Sequence, residues 1–346
     1  MARRKWKSRK RKGSGVAKFL LGVFLLGVLA AGAVAWLVFV PYGPSTETFV
    51  DLAPGSTALR IGKQLQEAGV LRSEYAFYVL RAWKRGTLKA GEYRFDHPAA
   101  ALEVYERIVR GDVYTRALVV PEGSNIFDIA ARVEQAGFDT RKDFLDAAVN
   151  QTGLIADLDP DAKSLEGYLF PDTYRFARST KATQIVATMV RRFRAVAGQL
   201  GLKENLHQVV TIASLVERET AVNAERPLVA SVFENRLKKK MPLMTDPSVI
   251  YGLELEDHWR GTIYQSDLKR DTAYNTYLHP GLPPGPIANP GIPSLRAAMH
   301  PADTDYLYFV AAGADAQGHS LFASTLDEHN RNVAGYRKAL KKAGTQ

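Results

Sequence analysis

The chain has 346 residues, 46% hydrophobic and 24% charged, which fits a folded protein of two or three domains and excludes a disordered one. Its formal charge is +10, but nine Lys and Arg stand in residues 1–18 and the remainder is close to neutral, which argues against a nucleic-acid enzyme. There is no cysteine, so disulfide scaffolds, Cys-ligated zinc and thiol nucleophiles are excluded too.

After the basic tail (1–18) comes an uncharged apolar run, Phe19 to Val40. As a helix it would span roughly 33 Å, the thickness of a bilayer core. Ala33-Val34-Ala35 resembles a signal-peptide cleavage site, yet the apolar run continues through Trp36 to Val40, so the pattern predicts an uncleaved anchor. A basic segment ahead of the span stays in the cytoplasm, which places the bulk of the chain outside.

A repeat follows. Ala53–Phe77 aligns with Val120–Phe144, matching Gly55-Ser56 to Gly123-Ser124, Ile61 to Ile129 and Ala68-Gly69 to Ala136-Gly137. Each copy offers an apolar run, a capping turn, an amphipathic helix and a glycine stop, so residues 46–150 are expected to form one α/β module of the binding type. Between the copies Gly91–Phe95 alternates like a strand and Leu102–Val109 has helical period. Residues 151–346 are expected to form a second, mixed α+β domain.

In that domain Ser164–Phe176 reads as an edge strand or extended loop around Pro171, and Lys181–Leu200 as a helix. The stretch from Thr211 to Leu237 then sets two glutamates, Glu217 and Glu219, on what otherwise reads as a buried helix. Val209, Val210, Ile212, Ala213, Leu215 and Val216 define its apolar face; Arg218 points away, and the glutamates fall on the two flanks. Helical geometry admits both as cleft residues and does not choose between them. A glutamate on the border of an apolar face can have its pKa raised by desolvation and so act as a general acid. Equally, both fit surface carboxylates paired with Arg218 or Arg226. A second helix restarts at Arg226-Pro227, with Leu228, Val232 and Phe233 on its apolar side. From Lys238 to Ser294 the chain is rich in Pro, Gly, Asn and Tyr and lacks period, which suits a functional segment. Tyr306–Ala312 reads as a strand, and a closing helix runs from His329. No His-Glu-x-x-His, Walker loop or G-x-S-x-G is present, so no metal or cofactor is expected; Ser266-Asp267-Leu268-Lys269 matches S-x-x-K without its companion K-T-G.

Six motifs in order carry a resemblance: LEGYLFPDTY (Leu165–Tyr174), IASLVERET (Ile212–Thr220), ER-x-x-VASVFENRL (Glu225–Leu237), TDPSVIYG (Thr245–Gly252), AYNTY (Ala273–Tyr277) and GLPPGPIANPG (Gly281–Gly291). In these the chain resembles the YceG/MltG family, the endolytic murein transglycosylases of bacteria. The resemblance implies a single-pass inner-membrane protein with a LysM-like module and a catalytic domain facing the cell wall, a lyase acting on nascent peptidoglycan. It implies Glu219 as the catalytic acid and Glu217 as a supporting residue. By the same resemblance Tyr168, Asp172, Arg236, Asp246, Tyr251, Asn275 and Tyr277 are expected around the glycan, and peptidoglycan synthases as partners. A hydrolytic muramidase and a non-catalytic peptidoglycan-binding scaffold are the competing readings.

Overall fold

A computed structural model describes residues 14–313 and 318–343, so most of the basic tail lies outside the described residues. The chain divides into two compact units, one ending at Thr115 and the other beginning at Arg116, and the architecture is α+β.

The first unit begins with helix α1 (Ser14–Phe39), apolar along its length and exposed except where Val38 enters the unit's core. Strand β1 (Thr48–Leu52), helices α2 (Ala58–Glu67) and α3 (Glu74–Lys84), strand β2 (Gly91–Phe95) and helix α4 (Ala101–Arg110) follow. β1 and β2 pair antiparallel, Val50 opposite Tyr93. Leu52, Leu65, Phe77, Leu80, Tyr93 and Ile108 fill the core beneath them.

The second unit repeats this start. β3 (Arg116–Val119) leads into α5 (Ile126–Gln135) and α6 (Arg141–Asn150) and pairs antiparallel with β4 (Thr173–Phe176). The repeat seen in the sequence is therefore a strand–helix–helix–strand unit in both places. Its local signals are the same: Thr57 caps α2, Asn125 caps α5 in a capping box with Asp128, and Gly69 and Gly137 leave those helices at φ +70. Each copy pairs with a partner strand of its own and buries its helices in a different core, so the second copy belongs to the larger unit. The first compact unit ends at Thr115.

Among the described residues eight further α-helices and strands complete the second unit: α7 (Ala182–Leu200), α8 (Leu206–Glu219), α9 (Arg226–Lys238), α10 (Asp246–Leu255), α11 (Ile292–Met299), the antiparallel pair β5 (Tyr308–Ala311) and β6 (Ser320–Ala323), and α12 (Leu326–Ala343). α8 is the central post. Every residue from Val210 to Val216 is buried, because α9, α10 and α11 all pack on it. Its two inward polar groups are satisfied within reach: Thr211 bonds the His207 carbonyl at 2.7 Å, and the Ser214 hydroxyl bonds the Thr211 carbonyl at 2.7 Å and receives the Ile287 amide at 3.0 Å. α10 arises inside the segment that shows no period in sequence. Its residues Ser248, Val249, Tyr251, Gly252 and Leu253 are all buried, so no polar face marks it.

Candidate active site

α8 stops at Glu219, where Thr220 turns to extended backbone. The helix thereby carries its last carboxyl, half-buried, into a cleft of about 510 Å³. The opposite walls come from four places: Phe233 and Arg236 on α9, the loop Leu243–Met244 with Asp246 at the start of α10, Tyr277, and Tyr308 with His329 from the β5–α12 region.

Burial is the main force on Glu219 and lifts its pKa to about 7; Asp246 pushes the same way, while Thr245, Arg236 and Arg218 pull it back. The Thr245 hydroxyl stands near enough to favour the carboxylate but outside hydrogen-bond geometry, and it is buried with no other partner. The negative end of α8 also disfavours charge at this position.

The surrounding side chains are held firmly. Arg236 donates from Nε to the Leu307 carbonyl at 2.7 Å and from Nη1 to the Leu243 carbonyl at 2.8 Å, and its guanidinium lies 5.4 Å from the Tyr308 ring centre. Tyr308 in turn stacks on His329, ring centres 5.1 Å apart. Tyr277 donates its hydroxyl to Asp246 at 2.7 Å. The loop ahead of α10 is bolted down by Thr276, whose hydroxyl accepts the Thr245 amide at 3.0 Å and meets Ser248 at 2.9 Å. Met244, exposed on the cleft wall, sits at φ +53, a conformation that L side chains rarely adopt and that this anchoring sustains.

Glu217 faces elsewhere. Its side chain is 5% exposed and forms a bidentate ion pair with Arg226, both contacts at 3.0 Å. It also accepts the Gly291 amide at 2.9 Å, and Arg226 donates to Ser294 at 2.8 Å. Glu217 thus fastens the start of α9 and the start of α11 to α8. A Cβ at Gly291 would lie 1.9 Å from a Glu122 oxygen, so a side chain there would require the exposed Glu122 carboxylate to move aside.

Of the residues expected around the glycan, Arg236, Asp246 and Tyr277 meet Glu219 in the cleft. Four do not. Tyr168 is fully buried, its ring edge-on to Phe193 and its hydroxyl on Asp159, which also receives His207. Asn275 is fully buried and ties the Leu268 and Arg270 carbonyls to the Tyr277 amide. Tyr251 is buried edge-on to Tyr274, and Asp172 is paired with Arg192 at 2.8 Å away from the cleft. Tyr308, His329 and Thr245 line or adjoin the cleft without having been expected there; Tyr308 lies in a stretch that the sequence marks only as a strand.

Glu166 accepts the Ile126 amide at the first turn of α5 (2.9 Å) and the Asn289 side chain (2.8 Å), and desolvation raises its pKa to about 8. Glu166 and Glu219 both keep a proton that the unfolded chain releases near 4.5. The stabilisation they give is complete below that value and is lost as pH rises through about 7 for Glu219 and about 8 for Glu166. Urea unfolding at rising pH should therefore show declining stability across this window, and Glu166→Gln should flatten the decline.

An α+β unit with a near-neutral carboxylic acid set at the end of a buried helix, facing a cleft of fixed polar and aromatic groups, is built for general-acid chemistry. The chain belongs to the YceG-like family, whose pattern it matches over residues 50–335. A Bacillus subtilis protein named endolytic murein transglycosylase is 34% identical over 313 residues, 84% of this chain and 85% of that one. A Streptococcus pneumoniae (strain D39) protein of the same name is 28% identical over 325 residues, 82% of this chain and 57% of that one. The crystal structure of a YceG-like protein from Listeria monocytogenes, 31% identical, aligns with a TM-score of 0.54 over 83% of this chain and 99% of that one.

Proposed function

We propose that the protein is an endolytic lytic transglycosylase that cuts the bond between N-acetylmuramic acid and N-acetylglucosamine inside nascent peptidoglycan strands. The observation that carries this reading is Glu219: one carboxyl with a pKa of about 7, at the head of the cleft. Its proton goes to the glycosidic oxygen as the C1–O bond breaks. The C6 hydroxyl of the same muramic acid ring attacks C1 and returns its proton to Glu219, leaving a 1,6-anhydro end and a regenerated acid. One carboxyl suffices because the nucleophile belongs to the substrate, and intramolecular attack carries a large proximity advantage. Arg236, Asp246, Tyr277 and Tyr308 present the hydrogen-bonding groups and ring face that a sugar requires. The names of the Bacillus and Streptococcus relatives support the same activity.

α1 would anchor the chain in the inner membrane by a single pass, with the tail in the cytoplasm and the residues that follow α1 outside. The first unit would act as a LysM-like module that holds glycan, and synthases making the strand would be neighbours. Cutting close to the membrane would end strand elongation.

Asp246 favours one second reading. A carboxylate in the same cleft could activate water, and the reaction would then be hydrolysis. The full chain in proteoliposomes, given uncrosslinked polymerised glycan, separates the two by product mass. Anhydro-ended fragments support the transglycosylase; reducing ends establish a muramidase.

A further inference from the structure

Helix α3 breaks the ordinary pattern of a surface helix. Its inner face is apolar, with Ala76, Phe77 and Leu80 buried in the first unit's core. Its outer face is apolar as well: Tyr75 (68% exposed), Tyr78, Val79 and Trp83 (61% exposed) follow one another at spacings of three, one and four, one stripe along a helix about 16 Å long. Apart from Glu74 in its first turn the helix carries no acid, while Lys84 and the exposed Arg85 close it with positive charge. Such a face is costly in water and calls for a partner.

The place of α3 says which partner. α3 and α4 both pack against α1, and Val38, the penultimate residue of α1, is buried in the same core as Phe77 and Leu80. Arg72, the residue before the Ser73 cap of α3, lies 4.2 Å from the ring centre of Trp36 and 4.9 Å from that of Tyr42, and donates to the Pro41 carbonyl at 3.2 Å. The beginning of α3 is thus pinned to the point where the apolar helix ends. Tyr and Trp are the residues that favour the headgroup level of a bilayer, their rings amphipathic, and Lys and Arg beside them attract anionic lipid.

We propose that α3 is a membrane-docking helix, its Tyr75–Tyr78–Val79–Trp83 face seated in the headgroup region of an anionic bilayer next to α1. Two attachments, a span and an interfacial helix, then hold the first unit in one orientation on the lipid. This rests on α1 crossing the membrane.

The chain has no cysteine, so single nitroxide labels can be placed on the full protein at Tyr78→Cys, Val79→Cys and, as a marker of the span, Leu26→Cys. All three positions are exposed, which leaves folding intact. In vesicles of phosphatidylglycerol and phosphatidylethanolamine, the Tyr78 and Val79 labels should collide several-fold more with oxygen than with a water-soluble nickel chelate, and less so in pure phosphatidylcholine. An immersed Leu26 label with freely chelate-accessible labels on α3 overturns the docking while leaving the span in place. A water-exposed Leu26 label overturns both. Equal immersion in the two lipids overturns the anionic preference, and immobilisation of the α3 labels only on adding glycan overturns the membrane assignment altogether.

Discussion

Glu219→Gln is expected to lower cleavage of uncrosslinked glycan by about 10²–10⁴-fold, the usual worth of a positioned general acid. Glutamine keeps the shape of the side chain but holds no acidic proton to give. The fold should not suffer. Glu219 has a raised pKa, so above about 7 its ionised form weakens the folded state, and an uncharged amide removes that cost. Thermal unfolding at pH 8 should give the variant a Tm equal to or above that of the wild type. A fall in activity with an unchanged or higher Tm identifies loss of chemistry rather than loss of structure.

Glu217→Ala should do the opposite. It strips the partner from Arg226, whose side chain is 6% exposed, and leaves the Gly291 amide without its acceptor. Removing one member of a buried ion pair costs about 3–5 kcal/mol, which for a unit of this size lowers Tm by roughly 10 °C or more. Replacing the pair together, as Glu217→Leu with Arg226→Met, should recover much of the loss because no charge is then stranded. Activity per folded molecule should stay far above that of Glu219→Gln. A variant with wild-type Tm and no cleavage would instead put Glu217 in the chemistry.

The separation of these two glutamates also shows where sequence reading reaches and where it stops. Periodicity located α8 and set both acids on its flanks, and their different fates follow from what packs there. One flank meets Arg226 and the Gly291 amide; the other meets open cleft. Those neighbours arrive from distant parts of the chain, so helix geometry alone left the choice open and the family resemblance supplied it. Arg236, Asp246 and Tyr277 were legible by that resemblance. Tyr168 and Asn275 belong to the same motifs yet serve the interior, because a polar side chain that fastens backbone carbonyls or a buried acid looks, in sequence, like one that fastens a sugar. Tyr308 and His329 reach the cleft only because β5 and α12 fold over it. The paired repeat was legible through its caps and glycines, but strand partners are chosen in three dimensions: β4 drew the second copy into the larger unit.

The central claim is that Glu219 is protonated near neutral pH and that cleavage depends on that proton. Chain labelled with ¹³C at glutamate side-chain carboxyls, titrated beside Glu219→Gln, reads the claim directly, alongside the pH profile of kcat/KM. A carboxyl signal that titrates near 7, is missing from the variant, and coincides with the alkaline limb along which activity falls is the predicted result. A Glu219 signal titrating at the ordinary carboxylate value of 4.5, with activity undiminished above pH 8, would contradict it.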